Sequence, residues 1–132
     1  MKNKGFTLIE LLAVIVILTL ILMIVVPSVL KSFDNSKKNI YEVMVDNICK
    51  STSSYIKEYQ EGLISMEDCD LNNGCEIKIK DLMKQKYLSS ELENPLTGKP
   101  IDQSEVEINA EKIDGDIKVY VTIDEDTRNC DN

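Results

Sequence analysis

The sequence predicts an α+β fold in which a long N-terminal helix packs against a small antiparallel sheet. Residues 6–26 are almost wholly apolar, and the following residues place apolar side chains at helical spacing to about residue 61. Farther on, apolar and polar residues alternate on both sides of a turn signal, which is typical of a β-hairpin. The chain has 132 residues, which suits one compact domain beside the apolar segment.

The apolar segment has the length of a membrane span. Thr19 is the one polar residue between Leu11 and Val26, so every face of a helix here would be apolar. The 21 residues from Phe6 to Val26 would form a helix of about 31 Å, close to the ~30 Å hydrocarbon thickness of a bilayer. A secretory signal peptide fits poorly, because its apolar region is shorter and ends in a small-residue cleavage site.

A plain single-pass anchor would explain this segment except for two residues. Glu10 places a carboxylate near the membrane boundary, which is costly unless the charge is paired. Pro27 removes a backbone donor where the apolar run ends, so we expect it to kink or weaken the helix.

The N-terminal residues MKNKGFTLIELL closely resemble the class III signal of type IV prepilins and pseudopilins. In that family a prepilin peptidase cuts after the glycine that ends a short basic leader, and the new amino terminus is N-methylated. The resemblance therefore implies cleavage between Gly5 and Phe6, methylation of Phe6 and assembly roles for Phe6, Glu10 and Pro27. Glu10 is the family's hallmark carboxylate, and such pilins commonly carry proline at the place of Pro27.

The resemblance also gives Glu10 a partner. After cleavage the amine of Phe6 is positive, and neither charge is expected to remain alone in a lipid-like environment. In the family, the carboxylate of an incoming subunit pairs with the amine of a neighbour in the filament. Pairing within one chain, from residue i to i+4, is an alternative that could precede assembly.

The implied organisation is a leader at 1–5, a transmembrane or filament-core helix at 6–27 and an extracellular pilin-like domain at 28–132. An amphipathic helix is expected over 28–61, and Gly62 is a plausible helix C-cap. Lys37 interrupts the apolar face once, and the aromatic residues of this face are expected in the core. The face comprises Leu30, Phe33, Ile40, Tyr41, Met44, Ile48, Tyr55, Ile56 and Tyr59.

A β-hairpin is predicted over about 105–124. Asp114-Gly115 is a preferred centre of a type I′ turn, and apolar residues alternate on both sides of it. Pairing about this turn places all the apolar residues on one face, as a sheet packed on a helix requires. The expected pairs are Ala110 with Val119, Ile108 with Val121, Val106 with Ile123, and Glu111 with Lys118.

The residues between helix and hairpin carry weaker signals. Residues 61–74 are polar and contain the turn signal Asn72-Asn73-Gly74, and residues 76–88 suggest a short strand or turn before a short helix. Residues 94–100, NPLTGKP, are expected to form a loop. This loop superficially resembles a sortase signal, which we reject because no apolar segment and basic tail follow; similar loops occur in some Gram-positive pilins and pseudopilins.

The four cysteines favour disulfides, because an even count in a small exported domain is typical of them. Cys69 and Cys75 flank the Asn-Asn-Gly turn, which leaves Cys49 to pair with Cys130. Free or buried thiols remain an alternative. A zinc site is disfavoured, because structural zinc sites usually bring their ligands in C-x₂₋₄-C pairs. This chain has one close pair, Cys69 and Cys75, and five residues separate its members.

The amino-acid composition excludes some classes of function and disfavours others. The chain has no histidine, so Ser-His-Asp and Cys-His sites are excluded, and nothing else marks an enzyme. Its net charge of −8 disfavours direct nucleic-acid binding unless a basic patch around 78–86 is exposed. Some pseudopilins bind calcium, but turn formation explains the acidic residues here, so no cofactor is expected. Those residues are Asp114, Asp116, Asp124, Glu125, Asp126 and Asp131.

The sequence therefore predicts a structural subunit that is inserted as a single-pass precursor, processed and polymerised into a surface filament for adhesion or motility. Its expected partners are the membrane, prepilin peptidase, an assembly platform and other pilin subunits. A minor pilin or pseudopilin of a secretion or DNA-uptake machine is the alternative within the family. A membrane-tethered binding module that never polymerises is the alternative from another class.

Overall fold

A computed structural model describes residues 5–102 and 104–131 of the chain. Its first element is helix α1, Leu8–Gln60. The chain divides into two compact units, residues 1–37 and residues 38–132, and each is described by itself.

The first unit consists, in its described part, of residues 5–7 and the N-terminal portion of α1. Every described side chain of this unit is exposed. Thr19 lies in the apolar run, and its hydroxyl donates to the carbonyls of Ile15 and Val16, both at 2.8 Å, so this polar group is satisfied within the helix. Pro27 lies inside the helix, so the proline does not end it. A missing donor at one position removes a single backbone hydrogen bond from the ladder.

The predicted apolar face of α1 is only partly buried. Within the second unit, burial begins at Tyr41, which is half-buried, and at Met44, which is 4% exposed. Leu30, Phe33 and Ile40 are exposed by 57–61%, so the expectation that the aromatic residues of this face belong to the core is wrong for Phe33. Helical spacing identifies an apolar face, but it does not determine how far along that face other elements reach.

The helix ends as the glycine predicts. Gly62 has a φ of 74°, a left-handed conformation that costs other residues free energy because of their Cβ atoms. Its N–H donates to the Tyr59 carbonyl at 3.1 Å, and the Leu63 N–H donates to the Glu58 carbonyl at 3.0 Å. These two bonds are those of a Schellman motif, which satisfies carbonyls that the end of a helix would leave unpaired.

After α1, the described residues of the second unit form six strands and one short helix. The elements are β1 Cys75–Ile77, α2 Ile79–Lys84, β2 Glu93–Asn94, β3 Lys99–Pro100, β4 Val106–Ile113, β5 Asp116–Ile123 and β6 Asp126–Asn129. Strands β1, β4, β5 and β6 form an antiparallel sheet in the order β1-β4-β5-β6, and β2 pairs with β3.

The β4–β5 hairpin confirms the predicted register. All four predicted pairs are present, and Asp114 and Gly115 both have the positive φ of a type I′ turn. Val106, Ile108 and Ala110 are buried while the residues between them are exposed. The polarity pattern and the turn therefore select the same register.

Strand β6 and the β2–β3 hairpin are absent from the sequence prediction. The sequence of β6, Asp126–Asn129, has no apolar alternation, and its pairing with β5 follows a turn at Asp124 and Glu125. The short hairpin, at Glu93–Asn94 and Lys99–Pro100, overlaps the predicted loop 94–100 and begins one residue before it. Both elements depend on pairing with a neighbour, which propensity alone does not reveal.

One core joins the C-terminal part of α1, α2 and the four-stranded sheet. Ile48, Leu82, Ile108 and Ala110 are fully buried in it. The fold is therefore α+β, with a long N-terminal helix packed against a small antiparallel sheet, as the sequence predicts.

Candidate functional site

The start of α1 is built by a pair of reciprocal hydrogen bonds. The Thr7 N–H donates to Glu10 Oε2 at 3.1 Å, and the Glu10 N–H donates to Thr7 Oγ1 at 3.3 Å. This is a capping box, in which Thr7 is the N-cap and Glu10 is the third helical residue. The spacing T-x-x-E in residues 7–10 is the sequence signal of this cap, and the role of Thr7 is not among the predictions from the sequence.

The predicted cleavage bond lies just before this cap. Gly5 and Phe6 precede the helix, both are exposed, and Phe6 is 92% exposed. Apart from Gly5 itself and its two neighbours in the chain, no described residue has an atom within 4 Å of the place where a Cβ on Gly5 would stand. Residues 1–4 of the predicted leader lie outside the described residues. In the uncut chain the Phe6 nitrogen belongs to a peptide bond, so its pairing with Glu10 after cleavage stays a prediction.

The helix that follows is long and apolar enough to cross a membrane, by its length and composition. None of its most apolar 18-residue window is buried in the described chain. A contiguous apolar surface of this extent normally marks contact with lipid or with another protein.

The cysteines form two disulfides in the second unit. Cys49 is bonded to Cys130 across a Cα–Cα distance of 5.4 Å, and Cys69 is bonded to Cys75 across 4.8 Å. These are the pairs that the spacing favours, and both distances suit a disulfide. The first bond links α1 to the residue after β6, and the second closes the loop that contains the Asn-Asn-Gly turn. Their oxidation in the exported protein stays a prediction.

A tyrosine cluster attaches α2 to α1. The Tyr87 hydroxyl donates to the Glu58 carboxylate, its ring meets Tyr55 edge to face at 5.4 Å, and its backbone carbonyl accepts the Ser51 hydroxyl at 2.9 Å. The hydrogen bond to Glu58 is the main cause that raises the pKa of Tyr87 to about 12. Burial, and secondarily the charge of Asp81, raises the pKa of Tyr55. The contacts stabilise the docking of α2, and nothing in them marks catalysis.

The charged residues do not assemble into a metal site. Among the described residues, no group of three or more acidic or cysteine side chains is placed to hold a metal ion, and the Asp124–Asp126 segment forms the turn into β6. The lysines at 78, 80, 84 and 86 are exposed. Lys78 and Lys84 share an open cavity of about 560 Å³ with carboxylates, so this surface carries both signs of charge. Those carboxylates are Glu67, Asp68, Glu76 and Asp81.

Comparison with known proteins identifies the N-terminal segment. Residues 1–26 match the family described as the prokaryotic N-terminal methylation motif. No curated protein and no solved structure matches the chain. The match covers the predicted cleavage bond, Glu10 and the whole apolar run to Val26, and it ends before Pro27. The chain therefore carries the class III signal peptide of type IV pilins, joined to a helix and sheet that are consistent with a pilin-like fold.

Proposed function

We propose that this protein is a subunit of a type IV pilus-like surface filament. In this proposal, prepilin peptidase cuts between Gly5 and Phe6, the new amine is methylated, and an assembly platform moves the subunit from the membrane into the polymer. The observation that supports it most is the combination of the methylation motif with a span whose apolar side chains are all exposed. Such a span needs a cover, which lipid supplies before assembly and neighbouring helices supply afterwards.

Glu10 gives the proposal a mechanism. In the uncut chain its carboxylate accepts the Thr7 N–H, and cleavage creates a positive amine four residues away on Phe6. An incoming subunit would exchange solvent or local bonds for a charge pair between its own Glu10 and the Phe6 amine of a neighbour. Leaving one member of a buried pair alone costs roughly 3–5 kcal/mol, so loss of the carboxylate opposes incorporation.

The capping box determines which variants test this mechanism. Glu10→Gln removes the charge but keeps a side-chain acceptor for the Thr7 N–H, since glutamine also serves at this position. Thr7→Ala is the matched control, because it removes the threonine half of the box and keeps the Glu10 charge. Membrane insertion and cleavage are expected for both variants, because Glu10→Gln removes a charge, which eases residence in lipid, and Thr7→Ala leaves the apolar residues of the span in place.

The experiment co-expresses the wild-type chain with one variant under distinguishable tags. The ratio of the two in membranes is compared with their ratio in filaments sheared from the cells. We expect Glu10→Gln to be depleted from filaments more than about a hundredfold, corresponding to roughly 3 kcal/mol, and Thr7→Ala to enter them nearly normally. Equal ratios for Glu10→Gln in the two fractions would refute the pairing mechanism. Absence of wild-type protein from any sheared polymer would favour a membrane-tethered binding module.

A further inference from the structure

The β2–β3 hairpin contains a buried asparagine whose side chain is only half satisfied. Asn94 is 1% exposed, and its Oδ1 accepts the Leu96 N–H at 3.0 Å. Among the described residues, none offers a hydrogen-bond acceptor to Asn94 Nδ2. An amide NH₂ carries two donors, and a buried donor without an acceptor costs free energy. The buried Asn94 Nδ2 is therefore a destabilising group in this fold unless it has a function.

The backbone carbonyl of the same residue accepts two hydrogen bonds. Its oxygen accepts the Gly98 N–H at 2.7 Å and the Thr97 N–H at 3.2 Å. Gly98 has a φ of 67°, a conformation that favours glycine in this tight turn. Two N–H groups directed at one carbonyl oxygen polarise the carbon and stabilise negative charge that develops on the oxygen during nucleophilic attack.

The residue that follows is Pro95, and this restricts the chemistry open to Asn94. Asparagine usually forms a succinimide when the next backbone nitrogen attacks its side-chain carbon and ammonia leaves. Proline has no N–H, so that route is closed. The remaining intramolecular route is attack by Nδ2 on the Asn94 backbone carbonyl carbon, with Pro95 as the leaving group.

We propose that the fold promotes self-cleavage of the Asn94–Pro95 peptide bond. The Cβ–Cγ bond turns so that Nδ2 meets the carbonyl carbon, which costs the hydrogen bond from Leu96 to Oδ1. A bond forms between Nδ2 and this carbon, the carbon–nitrogen bond to Pro95 breaks, and a proton from Nδ2 moves to the Pro95 nitrogen. The N-terminal fragment then ends in a succinimide, which one water hydrolyses. No oxidant, reductant or metal is required.

The disulfides determine what the cleaved subunit becomes. Cys49 lies before the cut and Cys130 after it, so their bond holds the two fragments together. Cys69 and Cys75 both lie in the N-terminal fragment. Strand β1 of that fragment also pairs with β4 of the other. The product is a two-chain subunit that separates under reducing and denaturing conditions, and this activity does not depend on filament assembly.

The test uses the full chain, purified in detergent and incubated at neutral pH. Reducing gels and intact mass are expected to reveal a chain of residues 95–132 with an amino-terminal Pro95, which non-reducing gels do not release. Incubation in urea, where the two donors to the carbonyl are lost, is expected to slow the reaction at least severalfold. No chain beginning at Pro95, or equal rates in folded and unfolded protein, would overturn the proposal.

Two variants identify the nucleophile. Asn94→Asp keeps an acceptor for the Leu96 N–H and is expected to abolish cleavage at neutral pH, because a carboxylate has no Nδ2. Pro95→Ala restores a backbone N–H, and we expect deamidation of Asn94 without chain cleavage to replace most of the reaction. Circular dichroism verifies that both variants fold. Undiminished cleavage in folded Asn94→Asp would identify a contaminating protease and refute the mechanism.

Discussion

The two disulfides differ greatly in the length of chain that they close, and this allows a quantitative prediction. Cys49 and Cys130 are 81 residues apart, whereas Cys69 and Cys75 are 6 apart. In the chain-entropy account, the longer loop contributes about 4.5 kcal/mol to the free energy of unfolding and the shorter about 2.2 kcal/mol. Each pair has one buried and one half-buried cysteine, so the packing lost on substitution is similar.

Each disulfide is removed in a double variant, Cys49→Ala/Cys130→Ala or Cys69→Ala/Cys75→Ala, and each variant serves as the control for the other. We expect the first to be less stable than the second by about 2 kcal/mol. For a domain of this size, that difference corresponds to a melting temperature lower by roughly 10–20 °C. Thermal unfolding of each full-length double variant in detergent, monitored by circular dichroism, measures its melting temperature.

Peptide mapping without reductant first establishes whether the cysteines are oxidised. It is expected to find the Cys49–Cys130 and Cys69–Cys75 disulfides in separate fragments. Four free thiols in exported protein would contradict both bonds. Equal melting temperatures for the two double variants, or a lower one for Cys69→Ala/Cys75→Ala, would refute the argument from loop length. Reductant is expected to lower the melting temperature of the wild-type chain below that of either variant.

The remaining predictions concern processing and pH. Replacing Gly5 with leucine is expected to block cleavage, and mass spectrometry of the wild-type exported chain is expected to find methylated Phe6 as the first residue; an intact Met1 on assembled protein would contradict this. Hydrogen bonding to Glu58 raises the pKa of Tyr87 to about 12, so the neutral phenol contributes stability below about pH 10 that is lost as pH rises towards 12. Absorbance titration of the wild-type chain is expected to find a tyrosine that ionises near pH 12. Tyr87→Phe is expected to remove this ionisation, and Glu58→Gln is expected to lower the pKa of Tyr87. An unchanged titration curve in Tyr87→Phe would refute the assignment.

Local patterns explain why much of this protein is readable from its sequence. The β4–β5 register follows from Asp114-Gly115 and a two-residue alternation, both of which act between residues close in the chain. The end of α1 follows from Gly62, whose left-handed φ is a property of that residue. The span and the processing motif need no tertiary contact at all, because uninterrupted apolar character and a short signal are linear properties.

Tertiary structure decided the features that depend on residues distant in the chain. Strand β6 is polar and is a strand because β5 pairs with it, and the docking of α2 depends on Tyr87 reaching Glu58, 29 positions earlier. Burial of Asn94 could not be inferred from a polar, proline-containing stretch, since such stretches usually lie in exposed loops. Phe33 is the converse case, an apolar residue on the predicted face that remains exposed. The sequence determines which surfaces are apolar and which turns are possible, whereas the energy of long-range pairing determines which surfaces become covered.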